Sequence, residues 1–98
     1  MNYEFHPEAL AEFEDGALHY AETQPGLELR FIASIEAAIQ RVIERPTSYA
    51  VLEQDVRRCL ARVFPYAVLY TIEPEFILIV AVMHCHRAPG YWRHRVAS

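Results

Sequence analysis

The hydrophobic period of this chain changes at Val56, and that change limits the folds open to it. Upstream, apolar residues recur three and four apart, the spacing of a helix with one buried stripe. From Val56 onward they alternate or run together in segments rich in Val, Ile, Leu and Tyr. Strands are predicted at about 56–63, 66–72 and 76–83, separated by Phe64-Pro65 and by Glu73-Pro74-Glu75. The last two form an antiparallel hairpin. At the other end, Tyr3 and Phe5 alternate with Asn2 and Glu4, the pattern of a half-buried strand.

Two helical patterns lie between these strands. His6-Pro7-Glu8 opens the first, since proline is tolerated where the helix has an unpaired N–H anyway. Its inward stripe is read as Leu10, Phe13, Ala17 and Tyr20, leaving Glu8, Glu12, Asp15 and Glu22 mostly outside. Gln24-Pro25-Gly26 breaks the chain, and the second pattern places Phe31, Ile35, Ala38, Ile39 and Val42 on one face, flanked by Leu27 and Ile32. It stops at Arg45-Pro46, because the residue before proline is pushed out of the helical region. Thr47–Asp55 is read as a loop pinned to the core by Tyr49, Val51 and Leu52. The expected fold is α+β: an antiparallel helical hairpin packed on a small antiparallel sheet. The N-terminal strand is a further member, and Pro89–Arg95 forms a short turn or helix.

Ninety-eight residues suffice for one domain spanning 1–98 and leave no room for a second core. No apolar stretch reaches the roughly 20 residues that cross a bilayer. The run Phe76–Met83 is too short, and too far from the start, to be a secretion signal. A cytoplasmic protein is expected, with Cys59 and Cys85 as reduced thiols, although they could pair if their strands were neighbours.

The charge is divided. Residues 1–56 carry eleven acids against Arg30, Arg41 and Arg45, a balance of −8. Residues 57–98 carry six arginines against Glu73 and Glu75, a balance of +4. Such a division excludes the continuous basic face that broad nucleic-acid affinity needs. It suits a local anionic or protein partner.

Candidate site residues cluster at strand ends. Alternation from Val56 puts Arg58, Leu60 and Arg62 on one face and Arg57, Cys59 and Ala61 on the other. Arg58 and Arg62 suit phosphate or carboxylate, either as electrostatic stabilisers or as grips on an acidic partner. His84 and His86 stand two apart, but a metal site needs a third ligand, and only His94 is available; no metal is expected. His84 is a candidate general acid or base, Arg87 a charge stabiliser, and Tyr91 a proton donor or a stacking face. Alternatively, Tyr91-Trp92 covers an open part of the core, with Arg93 over the indole. No nucleophile motif, glycine-rich phosphate loop or paired-cysteine zinc motif occurs, so no cofactor is expected.

The order Arg57-Arg58…Arg62…Phe64-Pro65-Tyr66-Ala67-Val68-Leu69-Tyr70, then Val82-Met83-His84…Arg87…Pro89…Tyr91-Trp92, resembles the RelE/ParE superfamily of bacterial toxins over nearly the whole chain. The resemblance implies two helices backing a small sheet, growth inhibition or plasmid stabilisation, and neutralisation by a cognate antitoxin. RelE-like members cut mRNA on the ribosome with several basic residues of the central strands plus a tail Arg and Tyr. ParE-like members lack that set and poison DNA gyrase.

Here Arg58 and Arg87 resemble two of the nuclease residues, while Leu60 and Ala67 stand where others would be basic. Together with the absence of lysine and a pI of about 5.7, this favours the ParE-like branch. His84, Arg87, Tyr91 and Arg58 keep a metal-free nuclease open. A degenerate antitoxin-binding module is the third reading. Arg57, Arg58, Leu60, Arg62, Val63 and Trp92 are the expected partner-binding residues.

Overall fold

The computed structural model describes residues 1–96. Its elements run β1 (Asn2–Phe5), α1 (Pro7–Thr23), α2 (Leu27–Glu44), β2 (Val51–Glu53), β3 (Val56–Leu60), β4 (Tyr66–Ile72), β5 (Phe76–His84) and a 3-10 turn (Arg93–Arg95). The five strands make one sheet in the order β1-β5-β4-β3-β2. The helical hairpin and the β4–β5 hairpin are as the sequence implies. The three C-terminal strands pair antiparallel, as expected, and the added N-terminal strand makes the sheet mixed, because β1 runs parallel to β5, from Asn2 beside Phe76 to Phe5 beside Ile79. Parallel neighbours need a crossover, and here both helices and three strands lie between the two.

The sheet has a core on each face. On the helix side, Phe31, Ile35, Ala38, Ile39 and Val42 of α2 meet Cys59, Tyr66, Val68, Tyr70, Ile77, Ile79 and Val82. Each large member contributes about 1.5–3 kcal/mol by leaving water. On the other side, Val56, Ala67, Leu69, Val80 and Ala81 are roofed by Trp92, with Tyr91 and Val96 beside it. The Tyr91-Trp92 pair therefore does cover the core.

The α2 face matches its reading residue for residue, whereas α1 is rotated. Leu10 is 41% exposed, and the buried positions are Ala9 and Gly16. The reason is close approach. A Cβ on Gly16 would come within 2.7 Å of the Phe31 ring and 3.3 Å of the Tyr66 hydroxyl, so only glycine lets α1 lie this near. The rotation carries Glu12 out of the solvent face and down onto β5.

Three further boundaries differ. The loop after α2 contains the short strand β2, and Val51 and Leu52 are exposed rather than pinned; Tyr49 does pack on the core. β3 stops at Leu60 because α2 takes over its carbonyls: Arg41 Nη2 donates to Leu60 O at 2.9 Å and Ser34 Oγ to Arg62 O at 2.6 Å. Cys85 lies beyond β5 in an exposed turn, while Cys59 is buried, and both are free thiols. No helix among the described residues is long and apolar enough to cross a membrane.

Candidate functional site

One bulge decides which candidate residues meet. Across β4–β5, Leu69 opposes Ala81 and Tyr70 opposes Ile79, so Val80 is an extra residue. Val80 and Ala81 consequently both face the Trp92 side, and the phase of β5 flips beyond them. His84 is thereby placed on the helix face, opposite Tyr66, against whose ring it packs with centroids 5.1 Å apart. Arg58 pairs with Leu69 and points to the opposite face. The sheet itself lies between these two candidate nuclease residues.

His84 and Arg87 do come together. With Glu12, Asp15, His19 and Tyr66 they line a cleft of about 180 Å³ between α1 and the end of β5. His84 Nδ1 accepts the His86 backbone N–H at 3.1 Å, which fixes that nitrogen as the acceptor. The His84 and His86 rings are 5.1 Å apart. His94 is elsewhere, bonded to Glu8 at 2.9 Å, so the three imidazoles do not converge. Among the described residues no group of three or more His, Cys, Asp or Glu side chains could hold a metal.

Glu12 organises the tail. Beyond Phe5 the β1 side of β5 has no strand partner, and the Val82 N–H donates instead to Glu12 Oε1 at 3.0 Å. Arg95 closes the same carboxylate through Nη1 at 2.8 Å and Nη2 at 3.0 Å, and also donates to the Val80 carbonyl at 3.1 Å. An ion pair thus stands where a further strand would. The Tyr91 hydroxyl donates to Glu12 Oε2 at 2.6 Å. Burial, then this bond to an anion, raises the Tyr91 pKa far above the ordinary phenol value. Its proton is held by Glu12, and its ring carries the Arg87 guanidinium at 3.9 Å and that of Arg95 at 5.0 Å.

Arg93 does not lie over the indole: it forms a two-pronged pair with Glu53, which holds that carboxyl below its usual range. The bond to His94 likewise lowers the Glu8 pKa. Trp92 is 2% exposed beneath this strap, so of the two roles expected for it the structure places it in the core, with little of its ring at the surface.

The arginines therefore fall into two sets. Arg87, Arg93 and Arg95 are matched to glutamates within the chain. Arg57 is also occupied internally, donating to the Thr47 and Tyr49 carbonyls at 3.2 and 2.7 Å. Arg41 is likewise taken up by the Leu60 carbonyl, and among the described residues the side chains of Arg30, Arg45, Arg58 and Arg62 enter neither an ion pair nor a hydrogen bond. Arg58 is exposed beside Leu60, itself 54% exposed. Arg62, Val63 and Arg30 border a groove of about 260 Å³ against α2. Unpaired guanidinium beside exposed aliphatic groups is the chemistry of a surface for an acidic, partly apolar segment. Arg30 was not singled out by sequence; its spacing from Ala33 and Ala37 on the outer face of α2 was the available signal. Nothing local marked Glu12 or Glu53.

A family model described as the ParE toxin of the type II toxin–antitoxin system parDE matches residues 3–89. The chain belongs to that family. Its fold is similar to a solved structure titled as a chromosomal ParDE toxin–antitoxin system from P. aeruginosa. The TM-score is 0.75 at 16% identity, covering 86% of this chain and 95% of that one. No curated protein matches the sequence. For this ParE-family chain, the two helices on a sheet with an N-terminal strand are thus the family architecture.

Proposed function

We propose that this chain is a growth-inhibiting toxin that acts by binding DNA gyrase without catalysing a reaction itself, and that a cognate antitoxin neutralises it. The observation carrying this reading is the placement of Arg58 and His84 on opposite faces of the sheet. A nuclease acting through the ribose 2′-OH needs its base, acid and charge stabiliser around one phosphate. Here the sheet divides them, and the Tyr91 hydroxyl is bonded to Glu12. The surface left for recognition is Arg58, Leu60, Arg62 and Val63, assigned here to the antitoxin. The cytoplasm, where both gyrase and the antitoxin reside, is the corresponding compartment.

A second reading rests on the His84–Arg87 cleft, which has room for a small anionic group and the residues for proton transfer. Induced expression in a bacterial host separates the two. Gyrase-dependent DNA breaks with intact mRNA are expected, together with relief of growth arrest on co-expression of the adjacent reading frame's product. Cleavage of mRNA within translated codons, lost in His84→Ala and Arg87→Ala, would replace the gyrase reading with the ribosomal one.

A further inference from the structure

Val63 occupies a left-handed backbone conformation, φ +77°. A β-branched side chain adopts it only under strain, because its Cβ substituents crowd the backbone. Strain of this kind is ordinarily offset by burial, yet Val63 is 88% exposed. The surrounding fold holds it there. Leu60 O and Arg62 O are tied to α2 by Arg41 and Ser34. Ala61 N donates to Tyr66 O at 2.9 Å, and Tyr66 N to Phe64 O at 2.8 Å. The result is a branched apolar tip fixed in water, with Leu60 exposed nearby and Arg62 next to it in the chain.

We propose that Val63 is a pre-set apolar anchor, held out by a strained loop, for an acidic segment of the cognate antitoxin. An aliphatic side chain of that segment would seat in the groove against α2, and its carboxylates would meet Arg30 and Arg62. This rests on the reading above that an antitoxin neutralises the chain. The acidic character follows from the arginines. In a chain of net charge −4, Arg30 and Arg62 border the groove with no carboxylate partner among the described residues, whereas the tail arginines are matched to glutamates. The strain gives the anchor its precision: a loop already fixed in the bound shape loses little freedom on binding.

Two substitutions separate the strain from the contact. Val63→Gly removes both the strained Cβ and the apolar tip; Val63→Thr keeps the branch and makes the tip polar. Each full-length variant is titrated with the purified product of the reading frame adjacent to its gene, and its thermal unfolding is followed. Val63→Gly is expected to unfold at an unchanged or higher temperature while Kd rises at least about tenfold. Val63→Thr should unfold as the parent does, with a similar loss of affinity. Unchanged affinity in either variant overturns the anchor while leaving neutralisation in place. A clearly lower unfolding temperature for Val63→Gly overturns the strain. If the parent chain itself does not bind, the neutralisation reading falls, and the anchor with it.

Discussion

Replacing Glu12 by Gln should cost this fold more than any other single-charge change on α1. The carboxylate accepts four hydrogen bonds, from the Val82 N–H, the Tyr91 hydroxyl and two Arg95 nitrogens. The side chains of Arg95 and Glu12 are only 5% and 15% exposed. Gln preserves shape, but its amide turns a donor toward Arg95 or Tyr91 and leaves a buried guanidinium with only the half-exposed Glu8 carboxylate, 3.6 Å from its Nε, as counter-charge. Breaking a buried pair from one side costs about 3–5 kcal/mol. Four charge-assisted bonds, counted singly at about 1.5–3 kcal/mol net, would give more; they share one acceptor group and do not add. About 3–5 kcal/mol is thus the expected loss, a large share of the ~5–15 kcal/mol that holds a typical domain together.

The assay is urea unfolding followed by fluorescence of Trp92, the chain's single tryptophan, which lies directly under the clamped tail. At about 4–8 °C per kcal/mol for a domain of this size, the melting temperature should also fall by at least about 12 °C. Glu14→Gln, on the exposed side of the same helix, is the control and should stay within about 0.5 kcal/mol. The paired change Glu12→Leu with Arg95→Met removes the orphaned charge but takes these partners from the Val82 N–H, the Tyr91 hydroxyl and the Val80 carbonyl, so it should recover only part of the loss. If Glu12→Gln unfolds within about 1 kcal/mol of the parent, the clamp is solvated and the reasoning fails.

Other outcomes follow from the same geometry. Gly16→Ala should lower stability by about 1–2 kcal/mol despite the better helix former, because its Cβ would meet the Phe31 ring at 2.7 Å; calorimetry showing stabilisation would contradict this. In alkaline absorbance titration, Tyr70, pushed up to about 12 chiefly by burial, should ionise late, and Tyr91 later still. Because both folded-state values are raised, their stabilising effect is full below about pH 10 and fades as pH rises through the folded values. Tyr91→Phe should remove the latest step, and an unaltered titration end would refute that assignment. Converting Arg58 and Arg62 together to Glu should weaken antitoxin binding by about a hundredfold or more, since truncating one side of such a contact costs about 2–5 kcal/mol. Unchanged affinity would move the interface to the helical hairpin.

What could be read from the sequence was whatever a single element decides alone. The buried face of α2 follows from its own spacing, and the β4–β5 turn from Glu73-Pro74-Glu75. The face on which His84 lies could not be read, because it depends on an extra residue at Val80, visible only once β4 is paired. Glu12 was read as solvated for a related reason: its burial depends on Gly16 letting α1 approach and on Arg95, 83 residues away, reaching back to it. For Trp92 the sequence left two roles open, core cover and partner contact, because nothing local says whether a short tail will roof the sheet. The arginines were recognisable as important, but their division into matched and unmatched sets belongs to the assembled fold.

The pairing of β1 with β5 sets an order of events. Asn2–Phe5 are made before the other strands of the sheet, yet among the described residues their strand partner is Phe76–Ile79. Until that segment has been made, β1 has no strand to pair with, and until Arg93 and Arg95 follow, the roof over the second core is open. Contacts this distant in sequence close late and slowly. A growing chain therefore offers helices and a separate hairpin, but not the finished sheet. The interval between synthesis and the finished sheet is built into the strand order, and on the function proposed above an antitoxin already present would have that interval in which to meet the chain.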